Sequence, residues 1–351
     1  MSQKIEITRI EKSKINDVDF NNFTFGSVFT DHMFECDFID GKWVNPTIKP
    51  YQPISIEPSA SVLHYGQAIF EGMKAYKDKN DEVWLFRPDQ NFERINKSAV
   101  RMAIPEFPEE LFYEALIKLV NIDRDWVKHG DGRSLYIRPF VIGNEYAIQA
   151  VPSKKYKFMI ICAPATLYYT KKLKVLVADK FSRAAAGGVG YAKAAGNYAG
   201  QFYPTRLAND EGFDQVIWTD ANEHNYLEEA GTMNIFFRIN DTLITAPTTD
   251  TILDGVTRKS LIQIARDIGI DVEIKKLKVD ELKNAAKNGS LKEIFGAGTA
   301  AVVSQINAFQ HKGELFELNE LDNSYAEKLK SNLVGIQTNQ LADHHSWRYK
   351  V

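Results

Sequence analysis

The 351-residue chain has few cysteines and almost no excess of charge of either sign. Its two cysteines, Cys36 and Cys162, lie far apart and form no CxxC pair, so neither a disulfide framework nor a cysteine zinc site is expected, and a reducing compartment is favoured. Lys and Arg total 43 and Asp and Glu total 46, a net charge of -3, which disfavours nucleic acid or a membrane surface as a partner. The histidines form no HExxH pattern, so no metal is expected.

Long hydrophobic runs are missing as well. The longest, residues 158–165, falls far short of the roughly 20 residues that a membrane-spanning helix needs. Residues 1–14 carry charges throughout and lack the apolar centre of a signal peptide. The sequence therefore predicts a cytoplasmic protein, and its 44% hydrophobic and 25% charged residues are typical of a globular chain.

Prolines and apolar periodicity predict the elements of the first half. Four prolines between residues 46 and 58 predict an irregular segment over residues 1–60. Two amphipathic helices are predicted after Pro88 and Pro108, because apolar residues recur there every three or four positions. Predicted strands lie at 68–76, 83–86, 134–142 and 156–163.

The second half mixes strands and helices without strict alternation. Its predicted strands are 175–177, 215–219, 234–239, 243–246, 272–274, 293–295 and 301–306, and its predicted helices lie near 197–209, 257–268 and 279–287. This arrangement favours an α+β fold over a doubly wound sheet. A lysine-rich stretch that begins at Pro164 predicts a linker over residues 166–174, which separates an N-terminal domain over 1–165 from a C-terminal domain over 175–351.

The stretch Ala184–Gly200 has an unusual composition. Alanine and glycine fill 12 of its 17 positions, and Lys193 is its only charged residue. Small side chains let a ligand approach closely, and a desolvated lysine becomes a nucleophile toward carbonyl groups. A surface loop with a solvated lysine fits the same composition. Asn197 is a candidate N-cap of the following helix, and Tyr198 lies either near the amine or in ordinary packing.

Three further segments offer groups for a charged ligand. Glu228 and Glu229 precede an apolar strand, where a carboxylate could hold a protonated ring nitrogen, although an exposed acidic turn would look the same. Residues 254–258 open a helix and residues 296–300 follow a strand, so both are candidate anion sites or simply tight turns. Arg94 could add a positive charge. The glycines at 187–190 do not fit GxGxxG, which disfavours a dinucleotide site.

Taken together, eight segments resemble blocks of the branched-chain-amino-acid aminotransferases, a fold-type IV pyridoxal-phosphate family, in the same order. They are FGSVFTDHMFECDF (25–38), YGQAIFEGMKAY (65–76), LFRPDQNFERI (85–95), YIRPF (136–140), GGVGYAKAAGNYAG (187–200), EEAGTMNIFF (228–237), DGVTR (254–258) and FGAGTAAVV (295–303). The resemblance implies a two-domain homodimer with a small N-terminal α/β domain and a larger, cofactor-binding domain with a β-barrel-like core. It also implies reversible transfer of the amino group of L-leucine, L-isoleucine or L-valine to 2-oxoglutarate.

The resemblance also implies roles for individual residues. Lys193 would form the Schiff base with pyridoxal 5'-phosphate and shuttle the proton, Tyr198 would bond the cofactor O3′, and Glu229 would face the pyridine nitrogen. The phosphate would be held by Arg94, Val256 and Thr257, with Thr299 nearby. The residues that would bind the substrate are Phe25, Tyr65, Phe70, Tyr136, Tyr168, Thr232, Thr299 and Ala300. Arg138 would bind the distal carboxylate of glutamate.

Three alternatives remain open at this point. Another fold-type IV enzyme, a D-amino-acid aminotransferase or an aminodeoxychorismate lyase, shares much of the pattern, but residues 29–33 and 136–140 argue against it. A non-catalytic protein that binds a phosphate ligand would need the two anion sites without the lysine chemistry. A nicotinamide oxidoreductase is disfavoured by the missing fingerprint.

Overall fold

The structure is a computed structural model that describes residues 4–166, 168–169 and 171–351. Within these residues it contains 19 strands and eight α-helices. The strands are β1 (Glu6–Ile7), β2 (His32–Ile39), β3 (Lys42–Pro50), β4 (Ala68–Phe70), β5 (Met73–Lys77), β6 (Val83–Phe86), β7 (Ser134–Gly143), β8 (Tyr156–Ala165), β9 (Leu173–Val177), β10 (Gln215–Thr219), β11 (Tyr226–Ala230), β12 (Met233–Ile239), β13 (Thr242–Thr245), β14 (Val272–Ile274), β15 (Leu277–Lys278), β16 (Leu291–Gly298), β17 (Val302–His311), β18 (Glu314–Glu317) and β19 (Arg348–Lys350). The helices are α1 (Ser61–Tyr65), α2 (Pro88–Arg101), α3 (Glu109–Ile122), α4 (Ala195–Ala199), α5 (Phe202–Asp210), α6 (Val256–Asp267), α7 (Val279–Lys287) and α8 (Tyr325–Gln337).

The chain forms two compact units, and the first comprises the described residues up to Tyr168 together with Ala192–Ala195 and Ile336–Val351. Its nine strands form one sheet in the order β1-β3-β2-β8-β7-β5-β6-β19, with β4 also paired to β7. The helices α2 and α3 bury their apolar sides in the core of this unit, as the sequence pattern predicts. Phe158 of β8 lies at the centre of this core and stacks on Phe107 with the ring centroids 3.8 Å apart.

Strands β2 and β3 correct the prediction that residues 1–60 are irregular. Two of the four prolines that prompted it, Pro46 and Pro50, lie in β3 where a strand tolerates them. Pro46 lies beside a register shift in the β2–β3 ladder, next to Asn45 with a φ of 55°, and Pro50 is the last residue of β3. Because a bulge or a strand end does not need the missing N–H, the strand continues through these positions.

The second unit comprises the described residues of 169–191 and 196–335. Strands β12, β16, β17, β9, β10 and β11 pair in this order, and β11 pairs back to β12, which closes a six-stranded barrel. Alternate residues such as Ile235 and Phe237 point into its core with Ile294 and Ile306. The α+β class and the barrel-like core are confirmed, while the domain boundaries at 165 and 175 stay a prediction.

Several boundaries differ from the sequence prediction. The strand expected over 68–76 is broken at Glu71 and Gly72 into β4 and β5, and the helix expected near 197–209 is broken at Gly200 and Gln201 into α4 and α5. The elements that were not predicted include the strands β11, β18 and β19 and the helices α1 and α8. No helix in the described part of the chain is long and apolar enough to cross a membrane.

Candidate active site

In the first unit, Lys193 is held through its backbone by two elements. Phe70 at the end of β4 donates its N–H to the Lys193 carbonyl oxygen at 3.0 Å, and Ile69 and Ala194 form a bridge. On the other side the Lys193 N–H donates to Ser98 Oγ of α2 at 2.9 Å. The Lys193 Nζ lies 4.9 Å from the centre of the Phe70 ring. The lysine backbone is therefore fixed by a strand and a helix, and its amine lies beside an aromatic face.

A fully buried acidic residue, Glu71, comes directly after Phe70. Arg94 of α2 donates to it from Nε at 2.7 Å and from Nη2 at 2.9 Å. Burial raises the pKa of Glu71, but the charge and hydrogen bonds of Arg94 and the charge of Lys193 outweigh burial and lower it below its ordinary value. The predicted phosphate ligand Arg94 is thus part of a buried ion pair, and it is itself only 8% exposed.

The predicted substrate residues of this unit form a cluster of rings around Arg138. The guanidinium lies 4.6 Å from the Phe70 ring and 5.2 Å from the Tyr136 ring, and its Nη2 donates to the Tyr136 hydroxyl at 3.0 Å. The Phe25 ring meets Tyr136 at 5.1 Å and Tyr168 at 5.5 Å, edge to face. Among the described residues, the buried Arg138 Nε has no hydrogen-bond partner.

Gly72 lies against the Tyr136 side of this cluster, and Tyr65 lies outside it. A Cβ on Gly72 would lie 2.1 Å from the Tyr136 hydroxyl oxygen, so only glycine fits beside that ring. Tyr65, at the end of α1, is 44% exposed, and its ring lies 6.2 Å from His64. The described contacts of the cluster do not include Tyr65.

In the second unit, Glu229 of β11 is the better placed of the two adjacent acids. It is 3% exposed, and its Oε1 accepts hydrogen bonds from Leu253 N at 2.7 Å and Asn234 Nδ2 at 3.0 Å. Its Oε2 pairs with Arg183 Nε at 2.8 Å. Glu228 instead accepts a bond from Thr251, and burial raises the pKa of Glu228. Glu229 is therefore a fixed, ion-paired carboxylate, and its role toward a cofactor stays a prediction.

The start of α6 lies close to Glu229. The residue before the helix is Gly255, where a Cβ would lie 1.9 Å from Asn234 Oδ1, so a glycine is required there. No side chain of the described residues caps this helix start. Val256 and Thr257, the first two residues of the helix, are 5% and 7% exposed. Because N–H groups at the start of a helix favour an anion, this position suits a phosphate.

Two turns bring the remaining predicted residues to the same end of the barrel. Gly231 and Thr232 form the turn between β11 and β12, and Thr299 and Ala300 lie in the turn between β16 and β17. A Cβ on Gly298 would lie 3.8 Å from the Thr232 carbonyl oxygen, so the two turns are neighbours. The second turn ends at Val302, whose φ of 58° is strained for a β-branched residue.

Hydrogen bonds connect the glycine-rich segment at residues 187–190 to the loop at 250–251. Arg183 donates to the carbonyl oxygens of Gly190 at 3.1 Å and Thr251 at 2.7 Å. Asn197 lies inside α4 and donates to the Val189 carbonyl at 2.8 Å, so the prediction that it caps a helix is wrong. Tyr198 lies on the same helix and is half-buried.

The structure thus gathers the predicted residues, except Tyr65 and Tyr198, into one cluster in each unit. The first contains Phe25, Phe70, Arg94, Tyr136, Arg138, Tyr168 and Lys193, and the second contains Glu229, Thr232, Val256, Thr257, Thr299 and Ala300. Sequence reasoning missed the two ion-pair partners, Glu71 and Arg183. For Glu71 a signal existed, because an acid between Phe70 and Gly72 interrupts an otherwise apolar strand pattern.

Comparisons with known proteins fit this geometry. The family described as amino-transferase class IV matches residues 68–309. The chain is 45% identical to a protein of Staphylococcus epidermidis named probable branched-chain-amino-acid aminotransferase, with 100% of this chain and 99% of the relative covered. The chain therefore belongs to the class IV aminotransferases. Within that class it belongs to the family of the branched-chain-amino-acid aminotransferases.

Solved structures share the fold. A branched-chain aminotransferase of Thermoproteus uzoniensis with norvaline has a TM-score of 0.75 at 24% identity, covering 91% of this chain and 99% of that one. A T.th. branched-chain amino acid aminotransferase complexed with N-(5'-phosphopyridoxyl)-L-glutamate has a TM-score of 0.71 at 23% identity, covering 90% and 97%. At these identities the likeness establishes the fold.

Proposed function

We propose that this protein is a branched-chain-amino-acid transaminase that depends on pyridoxal 5'-phosphate. It transfers the amino group of L-leucine, L-isoleucine or L-valine reversibly to 2-oxoglutarate, which yields the branched 2-oxo acid and L-glutamate. The observation that carries the proposal is Lys193, whose backbone is fixed by both β4 and α2 beside the Phe70 ring. The chain is also 45% identical over its full length to a relative of that name.

The side chains present fit the cofactor. Lys193 binds it covalently, Glu229 holds its ring nitrogen, and Tyr198 bonds its O3′. Its phosphate is bound by Arg94 and by the start of α6 at Val256 and Thr257, with Thr299 nearby. The start of α6 and the close approach at Gly255 support the phosphate assignment. When bound, the group supplies an electron sink for the negative charge that develops at the substrate Cα.

The chain's own groups then perform acid–base catalysis. Once the amino group of the substrate has replaced Lys193 on the cofactor, the freed Lys193 amine would remove the proton from Cα and return it to the neighbouring carbon, acting as base and then as acid. Glu229 keeps a proton on the ring nitrogen, because its carboxylate is held in place by Arg183, Asn234 and Leu253.

Substrate recognition has to serve both apolar and acidic side chains. Phe25, Phe70, Tyr136 and Tyr168 line the apolar part, and we propose that Tyr65, which lies outside their described contacts, adds to it. The Arg138 guanidinium, whose Nε is buried and unbonded among the described residues, supports the assignment of the glutamate carboxylate to this residue. The backbone at Thr299 and Ala300 binds the α-carboxylate, with Thr232 in the neighbouring turn.

The test is the visible absorption spectrum of the purified protein with pyridoxal 5'-phosphate. A yellow band that bleaches with L-leucine and returns with 2-oxoglutarate is expected, and Lys193→Ala should abolish it. Bleaching by D-alanine but not L-leucine would instead indicate a D-amino-acid aminotransferase. Absence of any band in the wild type would contradict the proposal.

Assembly and location complete the proposal. Four large apolar side chains on α1 and on the adjacent loop are 53–68% exposed: Leu63, Tyr146, Ile148 and Val151. The two segments are joined by a hydrogen bond from the Ser61 N–H to the Glu145 carbonyl oxygen. Exposed apolar side chains on two joined segments favour burial against a protein. The occupant proposed is a second copy of this chain, in a cytoplasmic homodimer.

A further inference from the structure

The buried acid Glu71 has no role in the function proposed so far. It lies at the break between β4 and β5, where its N–H donates to the Pro139 carbonyl of β7 at 2.7 Å. Its side chain has no exposed surface. A carboxylate in such a place is costly unless donors surround it, so its presence calls for an explanation.

Four N–H groups bond the Glu71 carboxylate. Arg94 donates from Nε and Nη2, Asn91 Nδ2 donates at 2.7 Å, and the Gly72 N–H donates at 3.0 Å. Two parallel bonds along one edge of a guanidinium fix both its plane and its rotation. Asn91, itself 2% exposed, fixes the carboxylate in turn.

The ion pair also changes how Arg94 can bind an anion. The Arg94 Nε lies 2.7 Å from Glu71 Oε1, so the negative charge of Glu71 neutralises the positive charge of Arg94. Arg94 therefore acts on an anion through directed N–H donors rather than through a net positive charge. A phosphate held by directed donors depends on their orientation, which Glu71 provides.

We propose that Glu71 is a positioning residue that orients Arg94 for the cofactor phosphate and so sets the preference for pyridoxal 5'-phosphate over pyridoxal. This inference rests on the function proposed above. It concerns affinity and leaves the chemistry at Lys193 unchanged.

The experiment compares the affinities of the full-length protein for pyridoxal 5'-phosphate and for pyridoxal, by absorbance titration. In Glu71→Gln the affinity for the phosphorylated form is expected to fall about tenfold, while that for pyridoxal changes little. In an Arg94→Gln background, Glu71→Gln should have no further effect, because the residue acts through Arg94. An unchanged ratio, or tighter binding of the phosphorylated form, would overturn the proposal.

Two further variants keep the test decisive. If Glu71→Gln fails to fold, Asn91→Leu removes one support of the carboxylate and should lower the same ratio by a smaller factor. Glu293→Gln is the matched control, because Glu293 is also buried and pairs with an arginine, Arg238, at 3.0 Å. Glu293→Gln should lower the stability of the protein without changing the ratio of its affinities for pyridoxal 5'-phosphate and pyridoxal. A wild-type protein that binds neither compound would refute the proposed function itself.

Discussion

At the scale of single residues, Arg138 combines two kinds of contact. Its guanidinium packs on the rings of Phe70 and Tyr136, which is compatible with an apolar substrate nearby. Its Nε is buried and unbonded among the described residues, which leaves a donor for an acidic substrate. One side chain can therefore serve both substrates of a transaminase.

Replacing this arginine should separate the two half-reactions. Arg138→Met nearly keeps the length of the side chain and removes its hydrogen-bond donors. We therefore expect the KM for L-glutamate and for 2-oxoglutarate to rise by roughly 10- to 100-fold, which corresponds to about 1.4–2.7 kcal/mol. The KM for L-leucine should change by no more than about threefold. Half-reaction kinetics followed by absorbance would measure both. Arg133→Met, at a surface arginine bonded to Asn21, is the control. Equal losses for both substrates would refute the assignment.

The residue scale also shows where sequence reasoning stops. The composition of residues 184–200 makes Lys193 a candidate, the position before an apolar strand makes Glu228 and Glu229 candidates, and the family resemblance selects Lys193 and Glu229. Glu71 interrupts an apolar strand pattern, but its pairing with Arg94 could not be predicted, because Arg94 lies 23 positions away and only the fold brings the two together. The same is true of Arg183, whose partners lie on β11 and in the loop at 250–251.

At the scale of elements, the β5–β6 hairpin is organised by Asp78. This carboxylate, 2% exposed, accepts bonds from the backbone of Asn80 and Glu82 and from Trp84 Nε1 and Asn339 Nδ2, at 2.7–3.0 Å. Burial raises the pKa of Asp78, but these hydrogen bonds outweigh it and lower the pKa to about 2.

The hairpin should therefore depend on pH in a defined direction. Asp78 contributes stability above its unfolded pKa of 3.8, and this contribution disappears as the pH falls toward about 2. Asp78→Asn should lower the free energy of unfolding by about 1–3 kcal/mol at pH 7, and the difference should shrink below pH 4. Thermal unfolding at pH 7, 4 and 3 would measure it.

The control on the same hairpin is Asp81→Asn. Its side chain is 78% exposed and forms a surface ion pair with Lys77 at 3.0 Å, so little change is expected. A loss at Asp78 that stayed constant from pH 7 to pH 3 would contradict the assigned role of its charge.

Elements were predicted best where a local pattern decides. The helices after Pro88 and Pro108 and most strands of the barrel follow from periodicity and proline placement. Strand β3 did not, because Pro46 is accommodated by a bulge that depends on the partner strand β2. The break at Glu71 likewise depends on distant contacts, because the Glu71 N–H donates to the Pro139 carbonyl oxygen and its carboxylate binds Arg94.

At the scale of the whole molecule, the exposed apolar surface at Leu63 and Ile148 predicts the oligomeric state. Ile148→Lys would place a charge in an interface that excludes water, so we expect a dimer for the wild type and a monomer for the variant at micromolar concentration. Light scattering during size-exclusion chromatography would measure both masses. Ile274→Lys is the control, because Ile274 is 45% exposed on β14 of the second unit. A dimeric Ile148→Lys protein would place the interface elsewhere.

The closed barrel has a consequence for how the molecule opens. Strand β12 pairs with β11, β13 and β16, whereas β14 and β18 lie at the margins of their sheet. The amide hydrogens of β12 can exchange with deuterium only when the whole ladder separates, while those of the margins exchange through local fraying. On heating, the amide hydrogens of β12, which pairs with the strand that carries Glu229, should therefore stay protected from exchange after those of β14 and β18 have exchanged.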